Sequence, residues 1–383
     1  MITEKLFDNG WLLNFEATVV SCVEKDGLFE VELDRSAFAP EGGGQLSDIG
    51  NIGDAFVSDV KLRDGTIIYI TDKQIKVGTN VACKIDYARR ARHIQNHSGE
   101  HIVSGIIYKE LGYNNVGFHL GSEDVTMDVD GDVDKATLRR IERLANEAVA
   151  ANLEIKAVYP SPDELDKIFY RSKLDLKDDV RIVLIDGLDA CACCAPHVNK
   201  TGEIGMIKLV SCLRYKGGTR IYIKCGFDAL DEFNAEFDRA LAISNMISQP
   251  RENIVDGVKK LMDDISGYRR EIFELKKRVT DMKIAAASVN DGKCLLVDEN
   301  MEMSELRAFV AAKLDACDKF CAAFSGNDED GYTFVIGYKG ADFKEFVQKT
   351  LEKLGGGSGG GKPPFAQGKA KCKKCDIEAL LID

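Results

Sequence analysis

Along the first 90 residues, apolar and polar positions alternate in short runs separated by turn dipeptides. Residues 17–23 and 28–33 flank Asp26-Gly27, and residues 60–62 and 66–70 flank Asp64-Gly65. Asp-Gly between two alternating runs signals a two-residue hairpin, because both residues tolerate positive φ. Residues 1–90 are therefore read as a small all-β domain, barrel-like or a sandwich. The period then lengthens. A helix is expected over 87–111 and a second, charged along one face, over 133–153, with strands near 154–159, 180–185, 206–211 and 219–224. Residues 91–226 thus form an α+β segment.

Residues 227–283 read as helical. Leu230, Phe233, Phe237 and Leu241 recur at helical spacing up to Pro250. Beyond it, Ile254, Val258, Leu261, Ile265, Tyr268, Ile272, Leu275, Val279 and Met282 step 4-3-4-3 without a break. An a/d seam held over about four heptads predicts a coiled coil, as a helical hairpin or a dimer arm. The segment 227–290 is accordingly a helical linker. Residues 291–383 suggest a small α/β domain with strands near 294–297 and 333–338, helices near 303–314 and 343–354, and a terminal low-complexity glycine run, GGGSGGGKPPFAQGKA. The whole is an α+β multidomain chain.

Composition changes this picture little. The 383 residues are 45% hydrophobic, enough for real cores, and no run approaches the ~18 apolar residues a membrane helix needs. The opening residues carry acids where a signal peptide needs a basic region, which points to the cytoplasm. The twelve cysteines are mostly scattered, so reduced thiols are expected. A net charge of −12 weighs against nucleic-acid binding, although local basic stripes can carry phosphate contacts on an acidic protein. Such stripes occur at Arg89, Arg90 and Arg92, at Lys208, Arg214, Lys216 and Arg220, and in the tail at Lys362, Lys369, Lys371, Lys373 and Lys374.

Two short stretches carry metal chemistry. NHSGEH places His97 and His101 at i and i+4 on one helix face, with His93 a turn earlier. The spelling H-x-x-E-H is also that of a zinc peptidase with its motif reversed, which would make Glu100 a general base and require a further acidic ligand. CACCAPHV supplies Cys193 and His197, again four apart. Together His97, His101, Cys193 and His197 make a tetrahedral Zn²⁺ set. Cys191 and Cys194 are rival ligands, read in preference as small buried side chains. Cys372 and Cys375 form a C-x-x-C with no second pair. FAPEGGGQLSDIG combines consecutive glycines with Gln45, either a hairpin tip or a loop built for close approach. His119, on a presumed strand, is expected to be a partly buried structural histidine.

In this order the motifs resemble those of the alanyl-tRNA editing proteins (AlaX), long form with a DHH-associated C-terminal domain, relatives of the editing region of alanyl-tRNA synthetase. FAPEGGGQLSDIG is similar to the family's Gly-Gly-Gln motif, NHSGEHIVSG to its His-x-x-x-His motif, CCAPHVNKTGEIG to its Cys-x-x-x-His motif and the run beyond it, KGGTRIYIKCG to the close of the editing domain, and the glycine run to the loop of the C-terminal domain. Two spellings depart: the usual Cys-Gly-Gly-Thr-His reads CCAPH, and His-Thr-Ala-x-His reads HSGEH.

The resemblance implies a zinc-dependent hydrolase that clears serine, or glycine, from mischarged tRNA(Ala). His97, His101, Cys193 and His197 match its zinc ligands, and Gly43, Gly44 and Gln45 the segment that approaches the aminoacyl ester. Four protein ligands fill a tetrahedral zinc, which favours the ion as orienter over the ion as direct catalyst. Glu100 is a secondary candidate base. Arg214, Lys216, Arg220, Lys362 and Lys369 are candidate RNA contacts, and a homodimer through the coiled coil or the C-terminal domain is a further expectation. The competing functions are a non-catalytic, zinc-stabilised tRNA-binding or dimerisation module and the peptidase.

Overall fold

The computed structural model describes residues 2–122, 124–165, 167–172 and 180–382, and the chain divides into two compact units, Met1–Ala242 and Ile243–Asp383. In the first unit β1 (Glu4–Lys5) pairs with β4 (Arg35–Ser36). Strands β2 (Asn14–Lys25), β3 (Leu28–Leu33), β5 (Gly50–Ile52), β6 (Ala55–Arg63), β7 (Thr66–Thr71) and β8 (Asn80–Ile85) close into a barrel in the order β2-β3-β7-β6-β5-β8. Both Asp-Gly pairs are two-residue hairpin turns: φ is 53° and 81° at Asp26 and Gly27, and 50° and 79° at Asp64 and Gly65. Alternating residues such as Val19, Val31, Val57 and Tyr69 fill the barrel around Phe38.

The barrel hands over to α1 (Tyr87–Leu111), which begins where Asp86 accepts from the amide of Arg89 and ends at Gly112 in the left-handed conformation. After it come β9 (Asn115–Leu120), β10 (Val125–Val129), α2 (Lys135–Ala150), β11 (Ile155–Val158), α3 (Pro162–Leu165), β12 (Ile182–Ile185), β13 (Asp189–Ala192), β14 (Ile207–Tyr215) and β15 (Gly218–Cys225). One sheet has the order β14-β15-β10-β9 and a second β11-β12-β13. Ile94, Ile102, Val103 and Ile106 of α1 and Ile141 of α2 share a core with Met127, Leu209, Ile221 and Ile223 of the larger sheet. Helix α2 is shorter than its expected span because Asp134 caps it, accepting from Thr137 N.

Arg90 ties α1 to the barrel. It is fully buried, ion-paired to the equally buried Asp48, and donates to the carbonyls of Gly10 and Ala37. It is therefore a structural clamp and no part of a basic surface, unlike the solvated cluster expected around it.

Helix α4 (Phe227–Ile247) spans the division between the units, and α5 (Ile254–Ala286) follows in the second. The seam of α5 lies open, from 38% exposure at Val258 to 71% at Met282. Strands β16 (Lys293–Asp298), β17 (Phe320–Asn327), β18 (Gly331–Gly337), β19 (Gly357–Lys362) and β20 (Phe365–Ala370) form one sheet in the order β16-β17-β18-β20-β19, with α6 (Met303–Lys313), α7 (Phe343–Lys353) and α8 (Lys374–Ala379). The glycine run is thus not a loop. Its first half is the edge strand β19, paired to β20 from Gly357↔Ala370 to Lys362↔Phe365. Glycine has poor strand propensity, which is why composition hid a strand that the backbone ladder alone sustains. Among the described residues no helix is long and apolar enough to cross a membrane.

Candidate metal centre

Helix α1 points His97 and His101 at the chain that leaves β13. There Cys193 and His197 meet them, and one ligand atom from each of the four residues lies within 4.8 Å of every other. Cys193 Sγ is 3.5 Å from His97 Nε2 and 3.4 Å from His197 Nε2. Bonds of ~2.0–2.1 Å to nitrogen and ~2.3 Å to sulfur put tetrahedral donors about 3.5 Å apart, so the spacing suits zinc. All three imidazoles are buried, at 2–4% exposure.

Close packing makes the approach possible. A Cβ on Gly99, midway between the two α1 histidines, would lie 2.2 Å from Cys225 Sγ on β15, and one on Gly10 would lie 2.0 Å from the carbonyl oxygen of His197. Glycine is required at both places by the neighbour's volume.

The outer face of each histidine is also occupied. His97 Nδ1 lies 2.9 Å from Gln45 Oε1, His101 Nδ1 lies 3.1 Å from Asp189 Oδ2, and His197 Nδ1 lies 3.0 Å from Ser98 Oγ. The Gln45 and Asp189 oxygens accept, which places a proton on the Nδ1 they face and directs Nε2 at the cluster, while the Ser98 hydroxyl can take either role toward His197. The same pattern on three independent histidines fits a metal site better than it fits a chance polar cluster. The amide of Ala195 also points at Cys193 Sγ, at 3.5 Å.

Electrostatics follow from these contacts. Burial disfavours charge on His101, but hydrogen bonds to Asp189 and Cys193 overcome it and hold its pKa well above the usual histidine value. Burial dominates at His197 and pushes it down to about 3. Burial also opposes the Cys193 thiolate, yet the His97 and His197 rings beside it and hydrogen bonds from His101 and His197 bring that thiol well below its ordinary pKa. A thiol whose anion is favoured, set among imidazoles, is a zinc donor set, and an ion bound there would displace the extra proton from His101.

The remaining sequence candidates separate into those at the cluster and those away from it. Gly42 and Gln45 exchange backbone hydrogen bonds of 3.1 and 3.0 Å around a turn in which Gly43 and Gly44 have φ of 62° and 83°. The turn docks on β9: Leu120 N donates to Gly44 O, and a Cβ on Gly44 would lie 2.2 Å from Phe118 O. Gly43 is 4.0 Å from His97 Cε1 by the same measure, so the tip sits over the cluster. Phe118 covers another side, its ring centroid 4.9 Å from that of His97.

His119 is exposed, in contrast to the partly buried structural position expected of it, because it faces outward on the edge strand β9. Glu100 is buried outside the ligand cluster, where its carboxylate accepts from Asn115 Nδ2. His93 is buried at the barrel junction, 3.9 Å from Asp48. Cys191 is half-buried next to His101 and Asp189, while Cys194 is exposed, against the expectation of a buried side chain, because β13 has already ended.

Of the basic residues, Arg220 is bound to Asp128 through two 2.7 Å contacts and stacks on Tyr215. Lys216 lies over the same ring, and Arg214 is exposed with a distant 3.9 Å contact to Asp132. Lys362 and Lys369 lie exposed on the β19–β20 hairpin of the second unit. Sequence reasoning missed Gly99, Ser98 and Asp189. Only Asp189 left a trace, as an acid four residues before a candidate ligand.

Residues 180–222, which carry Cys193 and His197, match the threonyl and alanyl tRNA synthetase second additional domain. The chain is 30% identical over 360 residues to the alanine–tRNA ligase of Halobacterium salinarum, covering 88% of this chain and 38% of that one. It is 28% identical over 398 residues to the corresponding ligases of Methanopyrus kandleri (98% and 44% covered) and Methanococcus vannielii (100% and 43%). The chain thus spans about two fifths of the length of these relatives. The matched domain and the similarity together indicate a relative of the editing region of alanyl-tRNA synthetase. The chain fits an alanyl-tRNA editing protein of the AlaX type.

Proposed function

We propose that this chain is an aminoacyl-tRNA deacylase acting in trans on tRNA(Ala), hydrolysing the ester of wrongly attached serine and, with looser recognition, glycine. The observation that carries the reading is the clustered quartet His97, His101, Cys193 and His197, with a hydrogen-bond partner on the outer nitrogen of every imidazole. These four residues would hold Zn²⁺, which supplies a positive centre able to orient the substrate's amine or polarise its carbonyl.

The chain's own groups do the rest. Gln45 fixes the plane of His97. The amides of Gly43 and Gly44 take no partner among the described residues and sit at the tip over the cluster, where they can donate to a developing oxyanion. Glu100, already bound to Asn115, is the less favoured base. The peptidase reading asks for an acidic ligand, and the cluster contains none.

The working parts are the barrel-like segment 1–90, the deacylase segment 91–226, the helical linker 227–290 and the C-terminal domain 291–383. Lys362 and Lys369, with Arg214 and Lys216, are the cations best placed to meet RNA phosphates. A homodimer through α5 completes the reading. Its a positions are Val258, Ile265, Ile272 and Val279, all β-branched, with Leu261 and Leu275 among the d positions, a choice that favours two parallel strands. In that arrangement Asp264 faces the partner's Arg269, whereas Lys276 is already ion-paired to Glu302 of its own chain.

The deciding experiment is deacylation of Ser-tRNA(Ala), Gly-tRNA(Ala) and Ala-tRNA(Ala) by wild type and Cys193→Ala. Loss of the serine or glycine ester, sparing alanine and falling at least about 100-fold in the variant, supports the hydrolase. A zinc-loaded protein that binds tRNA without cleaving it would make the non-catalytic module the correct reading.

A further inference from the structure

The three histidines of the cluster differ in what holds them. Gln45 offers His97 a neutral amide and Ser98 offers His197 a hydroxyl, but His101 faces a carboxylate. Asp189 is buried, with 2% of its side chain exposed, and both of its oxygens are engaged: Oδ1 accepts from Arg171 Nε at 2.8 Å, and Oδ2 accepts from Arg171 Nη2 at 2.9 Å as well as from His101. The arginine is itself positioned. Its backbone amide donates to Ala190 O and its carbonyl accepts from Ala192 N, so it lies along β13, and its guanidinium also donates to Ser104 Oγ on α1. A Cβ on Gly105 would stand 2.9 Å from Asp189 Cβ, so the absence of a side chain there admits the carboxylate to the helix.

We propose that Asp189, clamped by Arg171, is a positioning residue that sets the orientation and donor strength of His101 toward zinc. The proposal rests on the zinc reading above and adds to it a residue outside the ligand set. A carboxylate on the far nitrogen of an imidazole orients the ring and raises its basicity, and loss of such a partner typically weakens metal binding 10–100-fold.

The same neighbourhood admits a different assignment, because ligand atoms of His101, Asp189 and Cys191 also lie within 4.8 Å of one another. A second cation there would have to displace a guanidinium that already occupies both carboxylate oxygens. The geometry points to an orienting carboxylate.

The test is zinc affinity, read by competition with a chromogenic chelator, together with metal content per chain and the melting temperature of the metal-free protein. It uses wild type, Asp189→Asn, the double variant Asp189→Asn/Arg171→Met and Gly105→Ala. Wild type should take one zinc per chain. Asp189→Asn should bind it 10–100-fold more weakly. The double variant, which buries no unpaired guanidinium, should regain metal-free stability but not affinity. Gly105→Ala, which crowds the carboxylate and leaves its charge intact, should weaken binding in the same direction. The proposal is overturned if Asp189→Asn keeps wild-type affinity, if the double variant recovers affinity along with stability, or if wild type takes two ions and the substitution removes one. A wild type that takes no zinc would instead overturn the underlying reading.

Discussion

The metal cluster and helix α5 depart from the usual division of protein surfaces in opposite senses. The cluster and its surroundings bury three imidazoles and a carboxylate beside a half-buried guanidinium, and give the outer nitrogen of every imidazole a partner. Helix α5 exposes a continuous row of Val, Leu, Ile, Tyr and Met. Buried polar groups are tolerated when paired, and exposed apolar rows generally mark contact with something else. The comparison teaches that function is written at both places by violation of the same rule. In the reading proposed above, the inward violation would serve an ion and the outward one another surface.

The largest expected effect comes from attacking the inward side. Removing zinc with a chelator, or replacing Cys193 by alanine, should lower the stability of the first unit by several kcal/mol, since site binding energy is folding energy. The second unit should melt unchanged. Calorimetry resolving two transitions would check this, and a shift in both would break the contrast between the regions.

A second test concerns a buried histidine near the cluster. Burial, aided by Arg89, Arg92 and Arg90, holds His93 at about 3, against ~6.5 in an unfolded chain. As pH falls through 6.5 the unfolded chain takes up a proton that the folded protein refuses until about 3, so His93 lowers stability progressively across that window. His93→Gln should flatten the acid limb of stability against pH by a few kcal/mol. Urea titrations at several pH values between 4 and 7 would show an unchanged slope if this is wrong.

On the outward side, Ile272→Glu should weaken self-association by at least about tenfold, a charge at a core a position being costly. Zinc content and the melting of the first unit should stay as in wild type. Light scattering across a dilution series would report it, and a wild type monomeric at high micromolar concentration would refute the dimer. The smallest effect belongs to Lys362→Ala. It should reduce the slope of log affinity for tRNA against log salt by about 1, with little change in the deacylation rate at saturation.

The sequence carried the barrel hairpins and the span of α1 well, because Asp26-Gly27, Asp64-Gly65 and the Asp86 cap act over two or three residues. It also paired His97/His101 with Cys193/His197, since i, i+4 spacing reveals a shared helix face and the second pair repeats it. The contacts that orient the histidines were illegible, although Gln45 itself stands out in its glycine motif. Ser98, Gln45 and Asp189 reach the histidines from three different segments, and only the packing of α1 on β13 and the β9-docked turn brings them in. Arg90 misled because charge is visible in a sequence and burial is not. The β19 strand was hidden for the opposite reason, having almost no side chains to show a pattern.

The separation of the two ligand pairs has a mechanical meaning. His101 and Cys193 lie 92 positions apart. An ion joining them closes a loop of that contour, and in chain-entropy terms a cross-link closing a loop of about 100 residues restrains the unfolded chain by roughly 4–5 kcal/mol. The site would act as a staple as well as a reaction centre. A single proteolytic cut in the connecting stretch would leave the two fragments held together through the ion, to part more readily once it is withdrawn.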